Sequence, residues 1–257
     1  MIALALTLAL AQTPTQGCIT VNGSRVCGYG CIDNGSRGAC AKTEIGVCAK
    51  NGSSVTCFDP PTWLFAVWSS PPKPTCIADA TTIACGYDCK RQSGQAMCAQ
   101  TPKGICVNNS NQLRCFDPPP EVYGVYGSDV PTPTCVVREG RSACGYGCVT
   151  GSGVPMCAQT PFGVCGEDGS TPQCFDPSKQ LICAAGSSLQ KPKCMPVGQG
   201  RLVCGYNCAT SSGITACAQT PEGKCDTGGS GGPNCFDPPQ RGGSASCLEA
   251  AAQSPSR

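Results

Sequence analysis

Six cysteines recur four times along this chain at nearly constant spacing. The first block is Cys18, Cys27, Cys31, Cys40, Cys48 and Cys57, and the second is Cys76, Cys85, Cys89, Cys98, Cys106 and Cys115. The third is Cys135, Cys144, Cys148, Cys157, Cys165 and Cys174, and the fourth is Cys194, Cys204, Cys208, Cys217, Cys225 and Cys235. Blocks start 58, 59 and 59 residues apart, with the pattern C-x8-C-x3-C-x8-C-x7-C-x8-C and one added residue in the first and last gaps of block four. A fixed period of this kind marks a repeat architecture built from one small folding unit.

Composition says what must hold such a unit together. Leu, Ile, Val and Phe total 41 of 257 residues, below the roughly 20% at which burial alone builds a core. The formal net charge is only +2, so the high charge that accompanies disorder is missing. Cysteine, at 26 of 257 residues, is at the level of a disulfide scaffold. A bridge closing about ten residues contributes roughly 2–3 kcal/mol. Three per block would contribute about 6–9 kcal/mol, comparable with the net stability of a whole domain.

Each x8 segment carries a turn signal near its middle. Asn22-Gly23, Asn34-Gly35 and Asn51-Gly52 occupy this place in block one; Glu139-Gly140, Ser152-Gly153, Asp168-Gly169 and Gly228-Gly229-Ser230 do so later. Asn-Gly between short runs is the strongest local hairpin signal. The expected fold is small, disulfide-rich and mainly β: four tandem modules of three short hairpins, with cysteines at the hairpin bases. The modules are placed at 18–59, 76–117, 135–176 and 194–237, with a tail at 238–257. Six cysteines allow fifteen pairings; hairpin-closing pairs such as Cys18–Cys27 and cross-hairpin pairs both remain open. Cys183 and Cys247 lie outside the pattern and are expected to pair, clamping the fourth module to its flanks. The segments 58–75, 116–134 and 175–193 are Pro-rich near both ends, which predicts semi-rigid spacers. Between the prolines lie apolar patches containing Trp63, Trp68, Tyr123 and Tyr126, expected to pack between modules or to contact a partner.

Other positions repeat as well. Gly28-Tyr29 returns as Gly86-Tyr87, Gly145-Tyr146 and Gly205-Tyr206. The glycine predicts a tight turn, and the tyrosine a ring laid over cystines. Phe58-Asp59-Pro60 returns as Phe116-Asp117-Pro118, Phe175-Asp176-Pro177 and Phe236-Asp237-Pro238. The phenylalanine is expected to plug a module end, and the aspartate to form an Asx-turn closing the last strand. The C-x7-C loop keeps Thr and Gly, but the residue before the glycine changes: Ile45, Lys103, Phe162, Glu222. Pro-x-Gly is a turn, which puts the variable residue at an exposed tip. Varied tips on rigid loops are how multi-headed protease inhibitors present specificity residues; an unconstrained surface turn is the plainer expectation.

The motifs CGYxC, CAQTPxGxC and CFDPP together resemble cysteine-rich modules of uncharacterised exported bacterial proteins, where the last motif often reads CWDP. The resemblance spans residues 18 to about 239 and places Phe58, Phe116, Phe175 and Phe236 at the tryptophan position. Glu44 departs from the usual proline. The resemblance implies export from a bacterial cell and no particular activity.

Met1 to Ala11 is an apolar run ending in Ala9-Leu10-Ala11, similar to a signal-peptide core and cleavage site. No Lys or Arg precedes it, so either the start lies upstream or the signal is atypical. The cysteine load points to the same oxidising compartment, secreted, cell-surface or periplasmic. Asn22, Asn34, Asn51 and Asn108 open glycosylation sequons, relevant only in a eukaryotic host. With no histidine there is no Ser-His or Cys-His pair and no imidazole ligand. Without C-x-x-C spacing, zinc-knuckle and thioredoxin chemistry are disfavoured. The expectations are therefore no cofactor, no metal and no catalysis. The scattered Lys and Arg form no stripe for nucleic acid, and no run after residue 11 is long enough for a transmembrane span. The partner expected is a protein or glycan at a surface.

Overall fold

A computed structural model of the chain describes residues 15–109, 112–168, 171–197, 201–228, 231–239 and 247. The segment 1–11 and the tail, apart from residues 238, 239 and 247, lie outside the described residues. The fold is mainly β, in small sheets. The first module contains β1 (Gly17–Val21), β2 (Ser24–Asp33), β3 (Gly38–Ala41), β4 (Val47–Asn51) and β5 (Ser54–Phe58). After α1 (Leu64–Val67), the second contains β6 (Thr75–Asp79), β7 (Thr82–Gln92), β8 (Gln95–Ala99), β9 (Ile105–Asn109) and β10 (Gln112–Phe116). After α2 (Pro120–Tyr126), the third contains β11 (Thr134–Arg138), β12 (Arg141–Gly151), β13 (Val154–Ala158), β14 (Val164–Gly166) and β15 (Gln173–Phe175). After α3 (Lys179–Ala185), the fourth contains β16 (Lys193–Pro196), β17 (Leu202–Ser211), β18 (Ile214–Ala218), β19 (Lys224–Asp226) and β20 (Asn234–Phe236).

Each module is a three-stranded antiparallel meander followed by a separate two-stranded hairpin. The three hairpins expected from sequence are therefore not independent, because the first two share one long middle strand. Within that strand sits the C-G-Y-x-C step, and its register shifts between Tyr29 and Ile32, and likewise in the later modules. This is a β-bulge. Its extra residue takes a left-handed backbone: Gly30 (φ 53°), Asp88 (φ 38°), Gly147 (φ 52°) and Asn207 (φ 44°). Only Gly, Asp and Asn tolerate that region readily, which accounts for the residues found at x. The preceding glycine answers to space instead: a Cβ at Gly86 would collide with the carbonyl oxygen of Ala99, and one at Gly145 with that of Ala158.

All twenty-six cysteines are paired, and within modules the pairing is consecutive. Cys18–Cys27, Cys31–Cys40 and Cys48–Cys57 set the pattern, repeated by Cys76–Cys85, Cys89–Cys98 and Cys106–Cys115. Cys135–Cys144, Cys148–Cys157 and Cys165–Cys174 follow, then Cys194–Cys204, Cys208–Cys217 and Cys225–Cys235. Each bridge staples facing antiparallel strands, for example Cys18 opposite Cys27 and Cys106 opposite Cys115. Antiparallel register thus chooses among the pairings that spacing left open, because directly opposed residues already sit at bridging distance. The thirteenth bridge joins Cys183 in α3 to Cys247. Cys247 lies against Gly124 of α2, where a Cβ would collide with it.

The segments between modules are not spacers. Each folds into a short helix, and the helices pack against one another. Trp63 and Trp68 flank α1 and lie 5.0 and 5.5 Å from the ring of Tyr123 in α2. Val122, Tyr123 and Val130 form one buried cluster with Trp63, Val67 and Trp68 around it. Leu181, Ile182 and Leu189 form another with Phe162, Tyr206 and Ala218. Helix α2 begins with Pro120 in its first turn, α3 is capped by the Ser178 hydroxyl, and both end at glycines with positive φ, Gly127 and Gly186; these are ordinary start and stop signals. Apolar burial therefore concentrates in this helical column, while the modules rely on sulfur.

Candidate functional site

The three recurring motifs meet at the seams between modules. Phe58, at the end of module one, sets its ring edge-on to Tyr87 of module two, with centroids 6.1 Å apart. Phe116 does the same to Tyr146 at 6.0 Å, and Phe175 to Tyr206 at 5.7 Å. Edge-to-face pairs at this separation are the favoured aromatic geometry. Tyr87 also shares a buried cluster with Ala99 and Cys106, against which Cys115 packs; the cystine there is Cys106–Cys115 and not one of those adjacent to the tyrosine in sequence. The hydroxyls of Tyr87 and Tyr146 donate to the carbonyls of Pro72 (3.0 Å) and Pro131 (3.1 Å), tying the first two seams to the linkers before them. Burial pushes the Tyr87, Tyr123 and Tyr206 hydroxyls up to about 12, and that of Tyr146 higher still.

The recurring aspartate does not form the expected Asx-turn. Its carboxylate reaches back to the C-x7-C loop. Asp117 Oδ1 accepts from the N–H of Gln100 (2.9 Å), the N–H of Thr101 (2.8 Å) and the Thr101 hydroxyl (2.7 Å). Asp59 makes the same clamp on Lys42 and Thr43, Asp176 on Gln159 and Thr160, and Asp237 on Gln219 and Thr220. Burial pushes the Asp237 carboxyl up, but hydrogen bonds from Gln219 and Thr220 outweigh it and hold the group below its ordinary value. The loop glycine is fixed because a Cβ at Gly104 would strike the Asp117 carboxylate and the Ala99 methyl. Thr, Gly and Asp of these motifs are thus parts of one internal clamp.

The variable loop residues do not line up as four exposed tips. Phe162 is 3% exposed and stacks on Tyr126 of α2, with centroids 5.4 Å apart. Ile45 and Lys103 are half-buried, and only Glu222 is exposed. The third loop packs Phe162 on α2 while the fourth leaves Glu222 exposed, so burial of the residue before the glycine differs from module to module. This removes the geometric premise of a multi-headed inhibitor. Trp63, Trp68, Tyr123 and Tyr126, the aromatic contact candidates, serve inter-module packing.

Two grooves open on the surface. A groove of about 320 Å³ crosses the joint between modules two and three, lined by Arg114, Phe116, Ser142, Pro155, Met156 and Gln159. A second, of about 260 Å³, lies beside module four between Lys191, Lys193, Met195, Tyr206 and Asn207. Sequence reasoning missed both: the walls of the first come from two modules, and those of the second from module four and the linker before it. It also missed the helical column, whose signal was present: Leu64, Val122 and Leu181 each fall seven residues after the sixth cysteine of their block, and all three are buried. Among the described residues no group of three or more His, Cys, Asp or Glu could hold a metal ion. No described helix is long and apolar enough to cross a membrane. The chain matches no known protein family, no curated protein and no solved structure.

Proposed function

We propose that this chain is an exported, non-enzymatic structural protein that works outside the reducing cytoplasm as a stiff modular array, and that it holds a protein or glycan at a surface. The supporting observation is where its recurring residues are used. Among the described residues, Gly-Tyr, Thr-x-x-Gly and Phe-Asp are taken up by bulges, clamps and seams. Thirteen bridges support an oxidising compartment, since cystines persist where thiol reductants are scarce. The resemblance to exported bacterial modules points the same way. Contacts fall to the groove between modules two and three, where Arg114, Gln159 and Met156 offer a mixed polar and apolar face, and weak contacts repeated along an array gain avidity.

The test is cell fractionation combined with thiol titration of the natively isolated protein under denaturant. The expected result is recovery outside the cytoplasm with no titratable thiol. Recovery from the cytoplasm with most thiols free and the fold intact would overturn the proposal.

A further inference from the structure

Among the described residues, the joint that repeats inside the chain has no partner at the head face of module one or the tail face of module four. Each internal seam is the same heterologous contact: the tail face of one module, carrying Phe, docks on the head face of the next, carrying Tyr. The three seams agree closely, with ring planes at 87°, 82° and 87°. Polar contacts accompany the rings. Asn51 Nδ2 donates to the carbonyl of Asp79 across the first seam (2.8 Å), and Asn109 Nδ2 to that of Gly140 across the second (2.6 Å).

Phe236 is the fourth member of the phenylalanine series, and it stands 69% exposed, whereas Phe58, Phe116 and Phe175 are half-buried. Tyr29 is the first member of the tyrosine series, and it is half-buried, whereas Tyr87, Tyr146 and Tyr206 are buried. Neither Phe236 nor Tyr29 touches another ring among the described residues. The helical column repeats the asymmetry. Phe65 occupies the place of Tyr123 and Ile182, which are covered by the helix before them, and it is 42% exposed.

We propose that the occupant of these faces is a second copy of this chain: the tail face around Phe236 of one copy docks on the head face around Tyr29 of the next, continuing the internal stacking. The contact is complementary and not self-complementary, so each addition leaves a new tail and a new head exposed, and growth is open-ended. What covers each of the three equivalents of Phe236 is the tyrosine of the following head face, so the chemistry that fits the exposed ring is a further head face. The inference deepens the structural reading above and fails separately from it: a monomeric exported array would end this inference and leave that reading standing.

The experiment uses the full oxidised chain and Phe236→Asp, a change at an exposed position that leaves the thirteen bridges in place, verified by intact mass. Sedimentation velocity across a concentration series should show the wild-type chain growing into progressively larger species. Phe236→Asp alone should weaken association about tenfold or more, the loss typical of a central interface aromatic. Because the variant keeps its head face, it should also act as a chain terminator, shortening wild-type assemblies when added to them. A wild-type chain that stays monomeric throughout overturns the proposal, as does a variant that assembles like wild type. Wild-type dimers untouched by added variant would show tail-to-tail pairing and overturn it equally.

Discussion

Replacing Asp117 with alanine isolates one clamp. Its carboxylate holds the N–H and hydroxyl of Thr101, a residue only 4% exposed, and the N–H of the exposed Gln100. Water can replace the carboxylate at Gln100 but not at Thr101, so two buried donors lose their acceptor. A hydrogen bond to a charged group contributes about 1.5–3 kcal/mol, and an orphaned buried donor costs about 1–3 kcal/mol. Two such donors put the loss at about 3 kcal/mol. The loop also holds itself through the Gly104 N–H and the Thr101 carbonyl (2.9 Å), which is too little to keep it closed alone. Because the staples keep the module from unfolding globally, the loss should surface as local opening. Amide hydrogen exchange at Thr101 and Gly104 should accelerate about a hundredfold, the equivalent of about 3 kcal/mol, while Thr43 and Thr160, clamped by Asp59 and Asp176, keep their protection. Asp117→Asn, which retains one acceptor oxygen without the charge, should fall between. An acceleration of less than about threefold at Thr101, or an equal effect in all four modules, would refute the clamp.

The glycine before the bulge is set by the space its neighbours leave: Gly145→Ala puts a methyl against the Ala158 carbonyl oxygen, should cost at least about 1–3 kcal/mol as overpacking, and should lower the yield of fully bridged protein on oxidative refolding, read by mass spectrometry. Joint replacement of Cys183 and Cys247 by serine opens a loop of 64 residues, shortened by the bridges inside it, for a loss of about 4 kcal/mol in the chain-entropy treatment; denaturant unfolding should show module four and α3 released before the other modules. Alkaline titration followed at 295 nm should find Tyr87, Tyr123, Tyr146 and Tyr206 ionising late. Their pKa values are raised on folding, so their contribution to stability is complete below about 10 and is lost as pH climbs through about 12. Normal ionisation of all six tyrosines near 10 would refute the buried seams.

The division of labour between sulfur and apolar burial explains how the chain folds with so few aliphatic residues. A hairpin of five-residue strands is marginal by itself, and a bridge between facing cysteines fixes its register. The helical column then gathers large apolar side chains, with Leu64, Val122, Tyr123 and Ile182 at 1% exposure or less, and the modules add a few of their own, such as Phe162 and Tyr206, to their cystines. Neither part would suffice: the hairpins lack a common interior, and helices of four to seven residues are too short to be stable without packing.

What the amino-acid order determined alone is everything carried by local offset. The period, the block boundaries, the hairpin turns at Asn22-Gly23 and Glu139-Gly140, and the reliance on bridges are all readable because turns and strand pairing act over about ten residues. The pairing of cysteines, the reach of Asp117 to Thr101 sixteen residues away, the Phe-to-Tyr seams and the stacking of α1, α2 and α3 were decided only in three dimensions. Those contacts join segments whose separation in sequence carries no geometric signal. A buried Phe162 and an exposed Glu222 hold the same place in the repeat; only what packs against each of them tells the two apart.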